Sequence, residues 1–325
     1  MYEIELFKMC NIILLKLNEI RELINKPINQ YQLISNRKKW LKLCSSLDCI
    51  EDSQEAIESY KKSKFPLDVG KKYLYLYGLF QAMFLQQDAV IHAFSCIDKE
   101  SDIKAFYRSY PELRKIRELR NDAVGHPTDR WHGKSFHFIS RESIKKDTFE
   151  LLFDYVNKES EFKKFNTLEI IKKQETLISK ALDDILNILK KEEKEHKEKY
   201  KDKKLTSLFN STHYCFPKIL EVARGSPAAF QAGKVFLAKQ YFKFICKIIE
   251  TFKEKLQERY GSIDTFEGIR YIFKDIDFLI RELSKTFEDD SFVNNKQAQM
   301  YLECLWKRMD ELRKSALEID EYYSS

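Results

Sequence analysis

Glycine and proline are scarce in this chain, 8 and 6 of 325 residues. That scarcity argues against an architecture of many short strands joined by tight turns. No run approaches the ~20 uninterrupted apolar residues that cross a bilayer, so no transmembrane helix is expected. Near the N-terminus the apolar run 12–15 is short, follows Glu3 and Glu5, and is closed by no small-residue cleavage site, which argues against a secretory signal. The seven cysteines (10, 44, 49, 96, 215, 246 and 304) are scattered and include no Cys-x-x-Cys pair. They are expected to be reduced thiols in a cytoplasmic protein that needs no metal or other cofactor and contacts no membrane.

Present in quantity are apolar residues, 43% with 14% aromatic, and charge of both signs, 57 Lys+Arg against 51 Asp+Glu. A chain of this kind can bury one large core or two ordinary ones, and disorder is excluded for most of its length. Few turn residues and many helix-compatible charged ones predict an all-α protein. The net charge of +6 permits contact with a polyanion but argues for it only weakly, because the two signs are mixed throughout.

Apolar positions recur at helical spacing over 2–23, and helices are predicted near 29–46 and 53–63. The clearest covers 69–96, where Tyr73, Leu76, Tyr77, Phe80, Phe84, Ile91 and Phe94 form a broad stripe. Another spans 101–124 and restarts at Pro111. Aromatic and β-branched runs at 136–140 and 148–155 predict a β-hairpin near 135–155. Helix resumes over 166–204 and ends in the Lys/Glu run 190–204, read as a solvated face with Tyr200 exposed. That run divides a domain at 1–205 from a C-terminal helical domain at 206–325, with helices near 228–257, 265–286 and 293–320.

Candidate chemistry concentrates after the 69–96 helix. Arg117, Arg120 and Asn121 fall at i, i+3 and i+4, placing two guanidinium groups and an amide on one face that suits phosphate. Along an unbroken helix His126 would lie about 240° and about 9 Å from Arg120. Gly125, able to take a left-handed cap, and Pro127, which biases His126 out of the α region, would let the imidazole return toward the guanidinium. His126 could then accept or donate a proton, Arg120 could hold two phosphate oxygens, and Asn121 could orient either. Asp122, four residues before His126, could fix its tautomer. The plainer reading is that Arg120 pairs with a carboxylate. A metal-dependent hydrolase is disfavoured, because no His/Asp/Glu cluster has ligand spacing.

The helices followed by Leu119-Arg120-Asn121-Asp122-Ala123-Val124-Gly125-His126 resemble the HEPN (higher eukaryotes and prokaryotes nucleotide-binding) superfamily, over about 69–205. That resemblance implies a HEPN-type helical bundle, here with a small β-hairpin insertion, and a homodimer that joins two copies of the motif. It also implies metal-independent endoribonuclease activity on RNA, often in phage defence or toxin systems with an antitoxin or sensor partner. Arg120 and His126 then become the catalytic pair and Asn121 the adjacent polar residue. Thr128 stands where nucleotidylated toxins of the family carry tyrosine, which puts that regulation in doubt. The alternative is a non-catalytic module of the same fold that binds RNA or protein. Gln81, Gln87 and Asp88 could support the site from the 69–96 helix or tie two helices together. Trp131, His132 and His137 could stack on a base or merely cover the hairpin.

Overall fold

The computed structural model describes residues 12–26, 29–30, 36–98, 102–125, 127–130, 132–225, 232–263 and 266–324. Within them the protein is mostly helical, with one small antiparallel sheet. Two compact units divide the chain, one within Met1–Asn25 and Leu33–Lys191, the other within Lys26–Gln32 and Glu192–Ser325. The division falls at the start of the Lys/Glu run, whereas the sequence suggests its end.

The first unit contains α1 (Ile12–Ile24), α2 (Arg37–Lys62), α3 (Val69–Ile97), α4 (Ile103–Ser109), α5 (Pro111–Arg120) and most of α6 (Thr167–Tyr200). Starts are set by short acceptors: the Asn36, Asp68 and Asp102 side chains take the backbone N–H groups of Lys39, Lys71 and Ala105. Two helices expected near 29–46 and 53–63 prove to be the single α2 over the described residues. Within it Ser46 and Ser53 satisfy their hydroxyls on the carbonyls of Lys42 and Cys49, one turn back.

Apolar faces of α1, α2, α3 and α6 meet in a core that includes Ile13, Leu17, Leu47, Val90 and Leu182. Through it runs a chain of buried amides. Gln86 of α3 donates to Gln54 of α2 at 2.7 Å, Gln174 of α6 donates to Gln86 at 2.9 Å, and Gln87 donates to Gln174 at 2.9 Å. Gln174 donates also to the Met83 carbonyl. Gln87 is thus a helix-to-helix tie.

The expected hairpin is part of a three-stranded sheet, β1 (Ser135–Ile139), β2 (Thr148–Tyr155) and β3 (Lys158–Asn166), ordered β1-β2-β3. β2 alternates strictly, burying Phe149, Leu151 and Phe153, and Phe149 meets Phe80 of α3 edge-on with ring centres 5.7 Å apart. β3 escapes detection because it is an exposed, charged edge strand anchored chiefly through Phe165, which stacks on Phe149.

The second unit holds the end of α6, then α7 (Thr212–Ala223), α8 (Ala232–Tyr260), α9 (Glu267–Glu288) and α10 (Lys296–Ser324). Helix α7 was not anticipated; it carries Pro217 on its exposed side. The Lys/Glu run is solvated on one face only. At spacings of three and four, Glu193, His196 and Tyr200 turn inward: Glu193 takes Lys26 and Tyr322, His196 lies between the Arg259 carbonyl and the Tyr323 hydroxyl, and the Tyr200 hydroxyl donates to the Glu258 carbonyl. Tyr200, expected to be exposed, is only 3% so. Asp320 of α10 accepts the backbone N–H groups of Leu205 and Thr206, both at 2.9 Å. No described helix is long and apolar enough to cross a membrane.

Replacing Gln174 by Leu strands the Gln86 side-chain oxygen and the Gln87 side-chain amide, while the Met83 carbonyl keeps its helical bond. At about 1–3 kcal/mol for each buried orphan, the unfolding free energy should fall by about 2 kcal/mol or more in a urea titration.

Candidate functional site

Helix α5 does not simply end near Gly125: it widens into one π turn over Asn121–Gly125. Such a turn re-aims side chains relative to a regular helix. Ala123 anchors it in the core shared by Leu76, Phe80 and Phe149. The sequence suggests a left-handed cap at Gly125, but the left-handed glycines among the described residues are Gly133, Gly225 and Gly261. Gly125 serves another purpose. A β-carbon at 125 would lie 2.4 Å from Nη1 of Arg120 and 3.1 Å from the Asn121 side-chain oxygen, so only a bare backbone lets the guanidinium settle there.

Arg120 is held by neutral groups. Its Nη1 donates to Asn121 Oδ1 at 3.1 Å and its Nη2 to Gln81 Oε1 at 2.8 Å, while its Cζ sits 4.2 Å from the centre of the Phe84 ring. Its Nε is buried and has no hydrogen-bond partner. Among the described residues no carboxylate approaches it closely enough for an ion pair, so the plainer sequence reading of Arg120 finds no support in the described contacts. Burial, and then the neighbouring Arg117, pull its pKa below the ordinary arginine value, with Asp88 opposing.

The half-buried arginines on either side of Arg120, namely Arg117 and Arg130, are neutralised. Arg117 also lies on Phe84, at 4.1 Å, but donates to Asp88 at 2.5 Å and to the Tyr107 hydroxyl at 3.2 Å. The two-guanidinium phosphate face predicted from the sequence therefore reduces to Arg120. Asp88 belongs to Arg117, and Gln87 meets the site only indirectly, by accepting the Tyr107 hydroxyl at 3.4 Å. Gln81 is the member of that trio that touches Arg120.

Asp122 was expected to fix the tautomer of His126. The structure gives it another partner: Arg130 donates Nε to Asp122 at 2.6 Å and Nη2 to Glu118 at 2.7 Å, bridging two carboxylates one turn apart. The Glu118/Asp122 spacing was visible in the sequence, but Arg130 was missed because the tie crosses a turn. His137 completes the group. It is 3% exposed, so it cannot stack on a base. Its Nε2 lies 3.1 Å from Ser135 Oγ, its ring packs on Phe153, and its Nδ1 is 3.4 Å from Asp122 but unbonded. Its backbone N–H donates to the Pro127 carbonyl at 2.7 Å, tying the segment after the motif to β1. His126 and Trp131, both named from the sequence, lie outside the described residues, and His132 is exposed with a left-handed backbone. No group of three metal-ligating side chains occurs among the described residues.

Comparison with family models, curated proteins and solved structures finds no match.

Burial pulls the His137 pKa below its ordinary value, with Arg130 assisting and Asp122 opposing. The unfolded chain therefore binds the proton more readily than the native one. The contribution is complete above about pH 6.5, the unfolded value, and is lost progressively as pH falls from there through the lower native one. Unfolding titrations from pH 7.5 to 5.5 should show a smaller loss of stability in His137→Asn than in the wild type; an identical slope would remove His137 from the account.

Proposed function

We propose that the chain is a HEPN-type, metal-independent endoribonuclease whose charged element is Arg120. The observation that carries this reading is the unspent charge. Of three arginines within fourteen residues, Arg117 and Arg130 pair with carboxylates, whereas Arg120 is seated on Phe84 by two neutral oxygens and keeps Nε unpartnered. A cation fixed without a counterion, and open in part to solvent, is complementary to a phosphate oxygen.

The chemistry follows from the residue types. The ribose 2′-oxygen attacks phosphorus, forming a P–O2′ bond while the P–O5′ bond breaks, and Arg120 stabilises the charge that builds on the non-bridging oxygens. One His126 takes the 2′ proton and His126 of the partner subunit supplies a proton to the departing 5′-oxygen. Self-association has its own support in α3, where Leu74, Tyr77, Gln81 and Leu85 fall at i, i+3, i+7 and i+11, one stripe with Leu74 68% exposed. Gln81, which holds Arg120, lies within that stripe, so a dimer formed on it would bring two Arg120 sites near one another. In this reading the protein serves in phage defence or as a toxin.

Purified wild type should cleave single-stranded RNA at a rate unaffected by chelator. Arg120→Ala and His126→Ala should each lose about 10²–10⁴-fold, and Arg120→Lys should not restore activity because the ammonium lacks the fork. Gly125→Ala should lose activity while retaining the helical circular dichroism spectrum, since only the guanidinium is displaced. Equal cleavage by wild type and His126→Ala sinks the proposal; RNA binding through Arg120 without cleavage leaves the non-catalytic module instead. Leu74→Glu with Leu85→Glu should lower both the mass in light scattering and the activity.

A further inference from the structure

The second unit carries an exposed surface that the Arg120 site does not use. Along α8, Phe236, Leu237, Gln240, Lys243, Phe244 and Lys247 recur at three- and four-residue spacing on one outward face, so apolar and cationic groups alternate there. Tyr214 of α7 stands beside this stripe, 59% exposed, and meets Tyr241 edge-on with ring centres 5.7 Å apart. On one side of that ring pair lies an open groove of about 560 Å³, lined by Ser211, Tyr214, Gln240, Lys243, Phe244 and Lys247 together with Tyr241. On the other lies a smaller one of about 170 Å³, which reaches Lys218 and Lys234.

Charge marks this surface as well. Three other lysines of α8 are spent: Lys234 on Glu221 at 2.9 Å, Lys239 on Asp290 at 2.6 Å and Lys253 on Asp277 at 2.6 Å. Lys243 and Lys247 have no such partner among the described residues, and no carboxylate lines the larger groove. Three rings with accessible faces or edges, two unpaired ammonium groups one helical turn apart, and a flanking amide and hydroxyl form one continuous patch. An uncharged apolar peptide would be matched by the apolar positions alone, and a bare anion by the lysines alone. A polymer that offers flat π faces and a regular run of negative charge satisfies both at once.

We infer that the α7/α8 surface of the second unit, through Tyr214, Phe244, Lys243 and Lys247, binds single-stranded nucleic acid, with bases stacked on the rings and phosphates beside the lysines. This stands apart from the reading of the Arg120 site. Binding here would hold a strand without cutting it, because no group on the patch is placed to transfer a proton at neutral pH.

The test is fluorescence anisotropy with labelled 12-residue oligouridine and oligothymidine, on the full chain in an Arg120→Ala/His126→Ala background that silences the other site. Both probes offer the same stacking and phosphates, and their ratio reports any contribution of the 2′-hydroxyl. Phe244→Ala and Tyr214→Ala should each weaken binding about fivefold or more. Lys243→Gln with Lys247→Gln should reduce the slope of log affinity against log salt by about 1.4, the value for two phosphate contacts to a single strand. All four side chains are exposed or at the surface, so unchanged thermal unfolding separates lost contact from lost fold. The inference is overturned if neither probe binds in that background, if the ring variants leave affinity unchanged, or if a duplex binds as tightly as a single strand. It is likewise overturned if the variants change the oligomeric mass while nucleic-acid affinity stays constant, which would make the patch a protein interface.

Discussion

One directed chain of hydrogen bonds holds the first unit together. It begins at the Arg117 guanidinium, passes through the Tyr107 hydroxyl to Gln87, then to Gln174, Gln86 and Gln54, and ends on the Glu175 carboxylate. Every member donates in the same sense, from a cation to an anion, so each bond polarises the next. Four amides without water contact would otherwise be a severe liability. Joined in this way, they fix the relative register of α2, α3 and α6 more sharply than interchangeable leucines could, because an amide displaced by one turn finds no partner.

The same chain decides which arginine is available. Arg117 terminates it and is further neutralised by Asp88, while Arg130 bridges Glu118 and Asp122. Arg120 remains as the half-buried guanidinium without an anion, pressed on the aromatic ring it shares with Arg117. The site therefore arises by subtraction: its neighbours are satisfied by structure, and the remainder of charge is localised at a known place. Helix α5, the π turn and the β1 tether at Pro127 each contribute to holding that place.

Much of this was legible from residue order. The stripe on α3, the three C-terminal helices and the clustering of charge at 117–126 follow from period and composition, because those signals are local. What escaped is non-local or masked by polarity. The charged strand β3 reads as helix or loop until Phe165 is seen against Phe149. The inward face of the Lys/Glu run is written in the spacing of Glu193, His196 and Tyr200, but the polarity of the run hides it. The Arg130 tie to Asp122 escaped for a related reason: Arg130 lies beyond a turn, and no periodicity links the two. Gly125 was correctly singled out for the wrong cause, since the sequence suggests a conformational need and the structure shows a steric one.

The steric need at Gly125 couples two positions into one. The volume a β-carbon would fill is taken by Nη1 of Arg120, so a larger residue at 125 displaces the guanidinium, whereas loss of the arginine leaves the glycine unconstrained. Among descendants of this sequence, a larger residue at 125 should accompany a shorter or slimmer one at 120, and a chain that had surrendered the arginine would no longer have a reason to keep the glycine. The pair thus works as a molecular record, readable from two letters, of whether a given copy still maintains its cation.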